Sequence, residues 1–173
     1  MAASSWQAQV YAALKAVNVT QLAYVPDAGH AQLIETAQAD PEMRAVVLTT
    51  EEEGIALAAG AWLGGQRAVL LIQSSGVGNC VNMLSLIATC RFPLLALVTM
   101  RGEWAEFNPW QVPMGRATPA AFEIMGVQVQ RIDDGAQAAP TVAAAAAMAF
   151  EGDQAIAVLL SQRMLGRKTW VEK

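Results

Sequence analysis

The sequence predicts an α/β protein built in three layers, a six-stranded parallel sheet between two layers of helices. Two observations carry this reading. Six short runs rich in Val, Leu, Ile and Ala alternate with segments of helical periodicity, and each strand-helix-strand crossover has to pass over a face of the sheet. The chain has 173 residues, 54% hydrophobic and 15% charged, which suits one domain with a sizeable core. No repeat or linker interrupts it, so residues 1–173 are read as a single domain.

Ser4 or Ser5 can cap a first helix whose apolar positions Val10, Leu14 and Val17 recur at helical spacing. Residues 21–25 read as the first strand, ended by Pro26, and residues 31–38 as the next helix. Residues 45–49 form a second, buried parallel strand closing on Thr49 and Thr50, hydroxyl residues able to cap the helix predicted over 51–63. Strand 68–73, helix 79–90 and strand 94–99 follow. A long loop then runs to Ala117, carrying Trp104, Phe107 and Trp110. Helix 119–125, strand 127–132, helix 136–150 and strand 155–160 complete the pattern. A long aromatic loop at a strand's carboxyl end points to function or an interface, although such rings can also pack on their own domain.

Composition excludes several classes. The formal net charge is −4 and the eleven Lys and Arg residues are scattered, which argues against nucleic acid as a partner. The longest apolar stretch, residues 142–150, is far short of the roughly 20 residues a membrane span needs. The first residues lack the basic segment and apolar run of a secretory signal, so a cytoplasmic location is expected. Cys80 and Cys90 on one helix would lie about 15 Å apart, beyond disulfide reach, and without a nearby His they make no metal site.

The stretch Glu51-Glu52-Glu53-Gly54-Ile55-Ala56-Leu57-Ala58-Ala59-Gly60-Ala61 places acid where a helix of small apolar residues begins, at the carboxyl end of a strand. Open α/β sheets place ligands there. The plainer reading is that acids in a first turn complement the helix dipole. The two glycines would let another backbone approach closely, where an alanine-rich core helix would need none. In Ser75-Gly76-Val77-Gly78-Asn79 the glycines match neither dinucleotide nor Walker loops, and Asn79 could simply cap a helix. His30, the single histidine, lies in Pro26-Asp27-Ala28-Gly29-His30, where Asp27 could cap the following helix and the imidazole could be structural.

Three blocks carry a family resemblance. An acid nine positions before Gly60, which is Glu51, resembles the pyrimidine-binding (Pyr) domain of thiamine diphosphate-dependent decarboxylases. Gln73-Ser74-Ser75-Gly76-Val77-Gly78-Asn79-Cys80-Val81-Asn82-Met83-Leu84 is similar to the loop and helix start of phosphonopyruvate and sulfopyruvate decarboxylases. Arg101-Gly102-Glu103, then Gln111-Val112-Pro113-Met114-Gly115-Arg116, resembles the same enzymes' loop after the fourth strand. The resemblance spans nearly the whole chain and implies a thiamine diphosphate-binding Pyr fold.

It further implies that Glu51 is catalytic, hydrogen-bonding the N1′ nitrogen of the cofactor's aminopyrimidine and so activating the thiazolium carbon. Glu52 and Glu53 would point about 100° and 200° away around a helix. Gln73, Ser75, Gly76 and Asn79 become candidate cofactor contacts beside Glu51, and His30, Ser74, Arg101 and Arg116 candidate substrate contacts. Arginine suits a phosphonate, sulfonate or carboxylate, although either arginine could be merely solvated. Related enzymes commonly present Asp-Ser where this chain has Asp27-Ala28. No metal ligand is assigned to this chain: the diphosphate and Mg²⁺ belong to a separate PP domain with a Gly-Asp-Gly motif, which this sequence lacks, Gly152-Asp153-Gln154 being a partial match. The chain therefore resembles the α subunit of a split 2-oxo acid decarboxylase, expected to pair with a PP-domain β subunit as a homodimer or α2β2-type hetero-oligomer and to be inactive alone. The competing readings are a non-catalytic binding or regulatory module on the same fold, and, by fold analogy, a nucleotide- or flavin-binding domain.

Overall fold

The computed structural model describes residues 5–167. Six strands, β1 (Val19–Tyr24), β2 (Arg44–Val47), β3 (Arg67–Gln73), β4 (Leu94–Thr99), β5 (Gln128–Ile132) and β6 (Ala155–Leu160), form one sheet in the order β2-β1-β3-β4-β6-β5. All five pairings are parallel. Eight α-helices connect and flank them: α1 (Trp6–Ala16), α2 (Ala31–Ala39), α3 (Glu53–Leu63), α4 (Val77–Cys80), α5 (Ser85–Cys90), α6 (Val112–Ile124), α7 (Ala138–Gly152) and α8 (Gln162–Leu165). None is long and apolar enough to cross a membrane.

The central strands are buried on both faces, and their two-residue side-chain period splits the core in two. Val69, Leu71, Leu95 and Leu97 join α1, α2 and α7 on one side, through Val10, Leu14, Leu33 and Ala145. Leu70, Ile72, Leu94, Ala96 and Val98 join α3 and α6 on the other, through Ile55, Ala58 and Phe122. The predicted three layers are therefore present, and Ser5 does cap α1, its hydroxyl accepting from the Ala8 N–H at 3.2 Å. Ser4 lies outside the described residues.

Four local expectations are corrected. The run around β2 is an edge strand, with Val47 61% exposed, because β2 pairs with β1 alone. The helix expected over 79–90 is broken between α4 and α5. The long loop is shorter than expected, since α6 begins at Val112 and passes through Pro119. Pro113 sits in the first turn, where its missing N–H costs nothing, and the buried Gly115, Thr118 and Phe122 hold the helix on its neighbours past the interior proline. Helix α3 begins at Glu53, leaving Glu51 in the preceding turn. Neither threonine caps α3, whose N-cap position is Glu52 with no side-chain cap hydrogen bond; instead the Glu53 carboxylate reaches back to accept the Thr49 N–H at 2.8 Å and ties the helix start to the end of β2.

Strands β2 and β3 lie on opposite sides of β1, so the chain changes direction across the sheet at β1. Ligand crevices in open parallel sheets form at the carboxyl ends beside such a switch. The segments after β1, β2, β3 and β4 carry the site residues.

Candidate active site

Glu51 reaches the crevice because α3 presses onto β3. A methyl group on Gly54 would stand 2.3 Å from Leu70 Cδ1, so glycine alone lets the helix start this close to the sheet. This close approach is to the protein's own core, whereas nothing lies within 4 Å of a methyl placed on Gly60. The Glu51 side chain, half-buried, crosses directly over the turn after β3: a methyl on Gly76 would stand 2.1 Å from Oε1 and 2.4 Å from Cγ. On the other carboxylate oxygen, Oε2 accepts a hydrogen bond from the Asn79 amide at 2.7 Å. Oε1 has no hydrogen-bond partner among the described residues. Beneath them the Cys80 thiol lies 3.6 Å from the Gly76 carbonyl. Burial, reinforced by the negative charges of Glu51 and Glu52, pushes it up to about 12, so it stays a neutral filler.

A second polar cluster centres on Asp27. Its Oδ1 accepts from the Gln73 amide at 2.7 Å, and its Oδ2 from the Thr99 hydroxyl at 2.8 Å and the Gly29 N–H at 3.0 Å. Ser75 donates to Gln73 Oε1 at 2.8 Å, so both ends of that amide are fixed and the turn carrying Gly76 is tied to the loop after β1. The sequence marks Asp27 only as a helix cap, which it also is; nothing local signals its bonds to β3 and β4.

The expected substrate contacts are placed differently from one another. His30 is fully buried, its Nε2 donating to the carbonyls of Ile72 at 3.2 Å and Leu97 at 3.1 Å. Desolvation keeps it below its ordinary value, outweighing nearby Asp27, and the ring therefore sits neutral beneath the crevice. Ser74 is buried too, accepting the Arg101 N–H at 3.0 Å and so joining the ends of β3 and β4. Arg101 binds Glu106 through two hydrogen bonds of 2.7 and 2.6 Å, with side-chain exposures of 10% and 3%. Its guanidinium also lies 5.9 Å from the Phe107 ring centroid. Glu106, held down to about 2 chiefly by that guanidinium, further accepts Gly102 N–H, Asn108 N–H and the Gln162 amide. Arg116 is exposed on α6. The aromatic loop is thus stapled in place, with Trp110, in the turn just before α6, 85% exposed.

Between the ends of β1, β4 and β6 lies a cavity of about 150 Å³, bounded by Asp27, Thr99, Arg101, Gln162 and Arg167 among others. Among the described residues no group of three or more His, Cys, Asp or Glu side chains is disposed to hold a metal ion.

A family model described as thiamine pyrophosphate enzyme, N-terminal TPP binding domain, matches residues 5–108. The chain is 36% identical over 152 residues to the sulfopyruvate decarboxylase subunit alpha of Methanothermobacter thermautotrophicus, covering 87% of this chain and 92% of that one. It is 36% identical over 129 residues to the phosphonopyruvate decarboxylase of Streptomyces viridochromogenes, covering 73% of this chain but 32% of that longer one. Among solved structures, the 2-oxoglutarate:ferredoxin oxidoreductase from Magnetococcus marinus aligns with a TM-score of 0.71 over 96% of this chain and 33% of that chain. At 13% identity it shares the fold.

Proposed function

Because the chain belongs to the family of thiamine pyrophosphate enzyme N-terminal TPP binding domains, we propose that it is the Pyr (α) subunit of a split thiamine diphosphate-dependent 2-oxo acid decarboxylase acting on a sulfopyruvate- or phosphonopyruvate-like substrate. The observation that carries this is the Glu51 carboxylate, gripped at Oε2 by Asn79, laid over Gly76, and without a hydrogen-bond partner at Oε1 among the described residues. That oxygen is suited to a ring nitrogen that exchanges a proton, and Gly76, bare of a side chain, lets the carboxylate lie directly on the turn where the edge of an aminopyrimidine would approach. The bound cofactor supplies an electron sink for the pair released when the bond from the carboxylate carbon to the oxo carbon breaks and carbon dioxide leaves. This chain's part is to hold and move the proton at Glu51 Oε1, to keep Gly76 bare beneath it, and to fix the neighbouring amides. Gln73 and Ser75, already bonded to one another, offer polar edges to cofactor or substrate. His30 and Ser74 serve by anchoring the loops from below.

The Glu51 carboxylate, the Asn79 amide and the bare Gly76 suit the pyrimidine end of the cofactor, and the resemblance implies that its diphosphate and Mg²⁺ are held by another domain. Those contacts are assigned to a PP-domain β subunit, consistent with the α-subunit relatives, in a homodimer or α2β2-type assembly. Leu63, 88% exposed, and Trp110 are apolar side chains available for such contacts.

The test is co-expression with a PP-domain chain, addition of thiamine diphosphate and Mg²⁺, and measurement of thiazolium C2–H exchange with deuterium together with carbon dioxide release from a panel of 2-oxo acids. Both should be present in the complex and absent in the isolated chain. Submicromolar cofactor binding by the chain alone would overturn the split-subunit assignment.

A further inference from the structure

The cavity at the ends of β1, β4 and β6, joined to the turn under Glu51 through the Asp27–Gln73 hydrogen bond, carries a few polar side chains among apolar ones such as Met100 and Leu165, and almost all of these polar groups spend their hydrogen bonds inside the protein. Asp27 is saturated by Gln73, Thr99 and Gly29, and Thr99 is its donor. Gln162 accepts the N–H groups of Glu103 at 3.1 Å and Trp104 at 3.0 Å through Oε1 and donates to Glu106 at 2.9 Å through Nε2. Arg101, the cation that the sequence singles out for an anionic substrate, is neutralised by Glu106 in a buried two-bond pair. Releasing it would strand the Glu106 carboxylate, which is costly in a buried setting. Arg116 is absent from the cavity wall. The remaining cation on that wall is Arg167, which has no carboxylate partner among the described residues.

Its position is set by the chain. Helix α8 starts on the Ser161 cap, whose hydroxyl accepts the Met164 N–H at 3.2 Å, and stops at Gly166 with φ 88° and ψ 165°, a conformation open essentially to glycine alone. The turn this produces brings the residue after it to the rim shared by β1, β4 and β6. The volume, about 150 Å³, equals about five waters and is room for a short acid. Asp27 on the same wall repels anions, which leaves the Arg167 side for a negative group.

We infer that Arg167 is the specificity-determining residue of this site, pairing its guanidinium with the terminal sulfonate, phosphonate or carboxylate of a short 2-oxo acid, while Arg101 is structural. This rests on the decarboxylase reading above and names the residue that selects the substrate's tail.

The test uses the reconstituted complex with 3-sulfopyruvate, 3-phosphonopyruvate and the uncharged-tail acid 2-oxobutanoate. Arg167→Gln should raise KM for the two anionic substrates about ten- to a hundred-fold more than for 2-oxobutanoate, the range for a lost charge-assisted hydrogen bond. Arg167→Lys should restore part of the loss. Calorimetric titration of the complex with unreactive 3-sulfopropanoate should show binding that Arg167→Gln weakens about ten- to a hundred-fold. Equal kinetics of wild type and Arg167→Gln on all three acids would overturn the inference. So would a tail-selective KM increase in Arg101→Gln with Arg167→Gln silent. A wild-type complex showing neither C2–H exchange nor carbon dioxide release from any acid would instead remove the decarboxylase reading, and this inference with it.

Discussion

The carboxylate of Glu51 lies so close over Gly76 that a methyl group there would stand 2.1 Å from Oε1, a separation that atoms do not tolerate. Gly76 has φ −77° and ψ −15°, a conformation any residue can adopt, so the glycine is required for space and not for backbone freedom. Gly76→Ala should therefore fold normally by circular dichroism and displace the Glu51 carboxylate. In the reconstituted complex C2–H exchange should fall by about a hundredfold, the lower range of what a positioned acid-base group contributes. Wild-type exchange in this variant would mean that Glu51 works from some other position.

The three adjacent acids are separable by substitution. Glu51→Gln keeps size and a hydrogen bond for Asn79 and removes the proton-exchanging oxygen, so exchange should slow by about 10²- to 10⁴-fold. Glu52→Gln should change it little. Glu53→Ala removes the acceptor of the Thr49 N–H and should cost about 1 kcal/mol in urea unfolding with exchange intact. Slow exchange in Glu52→Gln and normal exchange in Glu51→Gln would move the catalytic role by one residue.

Glu106 holds the aromatic loop through Arg101, Gln162 and two backbone N–H groups. Its folded-state value is depressed from 4.5 to about 2, so its contribution is present above pH 4.5 and lost as pH falls toward 2. Tryptophan fluorescence from Trp104 and Trp110 should hold steady down to about pH 4.5 as far as this loop is concerned. Glu106→Ala leaves Arg101 buried and unpaired and should cost about 3–5 kcal/mol in denaturant unfolding. A cost below 1 kcal/mol would show that the loop is held by other contacts.

His30 is buried neutral, with its value lowered below 6.5 by desolvation. The unfolded chain binds a proton there that the folded chain refuses, so stability is full above pH 6.5 and declines as pH drops below it. A plot of unfolding free energy against pH should slope by up to one proton in this range, and the slope should vanish in His30→Gln. An unchanged slope in the variant would assign it to carboxylates instead.

Much of this molecule is legible residue by residue. The strand and helix periods place all six strands within a few residues, and the acid at the end of β2 and the glycine turn after β3 are visible as motifs. The errors have local physical causes. Pro119 reads as a helix start because proline favours first turns, yet buried neighbours carry α6 through it. That Arg101 already holds a carboxylate is not legible in the sequence, because Glu106 lies in a loop whose folding no periodicity describes.

By itself the sequence determined the layered α/β architecture, since alternation and helical repeat are properties of consecutive residues and burial follows from them. It also determined that Glu51 stands at a strand's carboxyl end. Tertiary structure alone decided which side chains meet. Asp27 joins Gln73, 46 positions away, and Thr99, 72 positions away, because β1, β3 and β4 lie side by side. That order is set by how the two apolar faces pack, and hydrophobic periodicity specifies faces without specifying neighbours. The free energy that buries His30, neutralises Arg101 and leaves Arg167 at the cavity rim arises only after those neighbours are chosen.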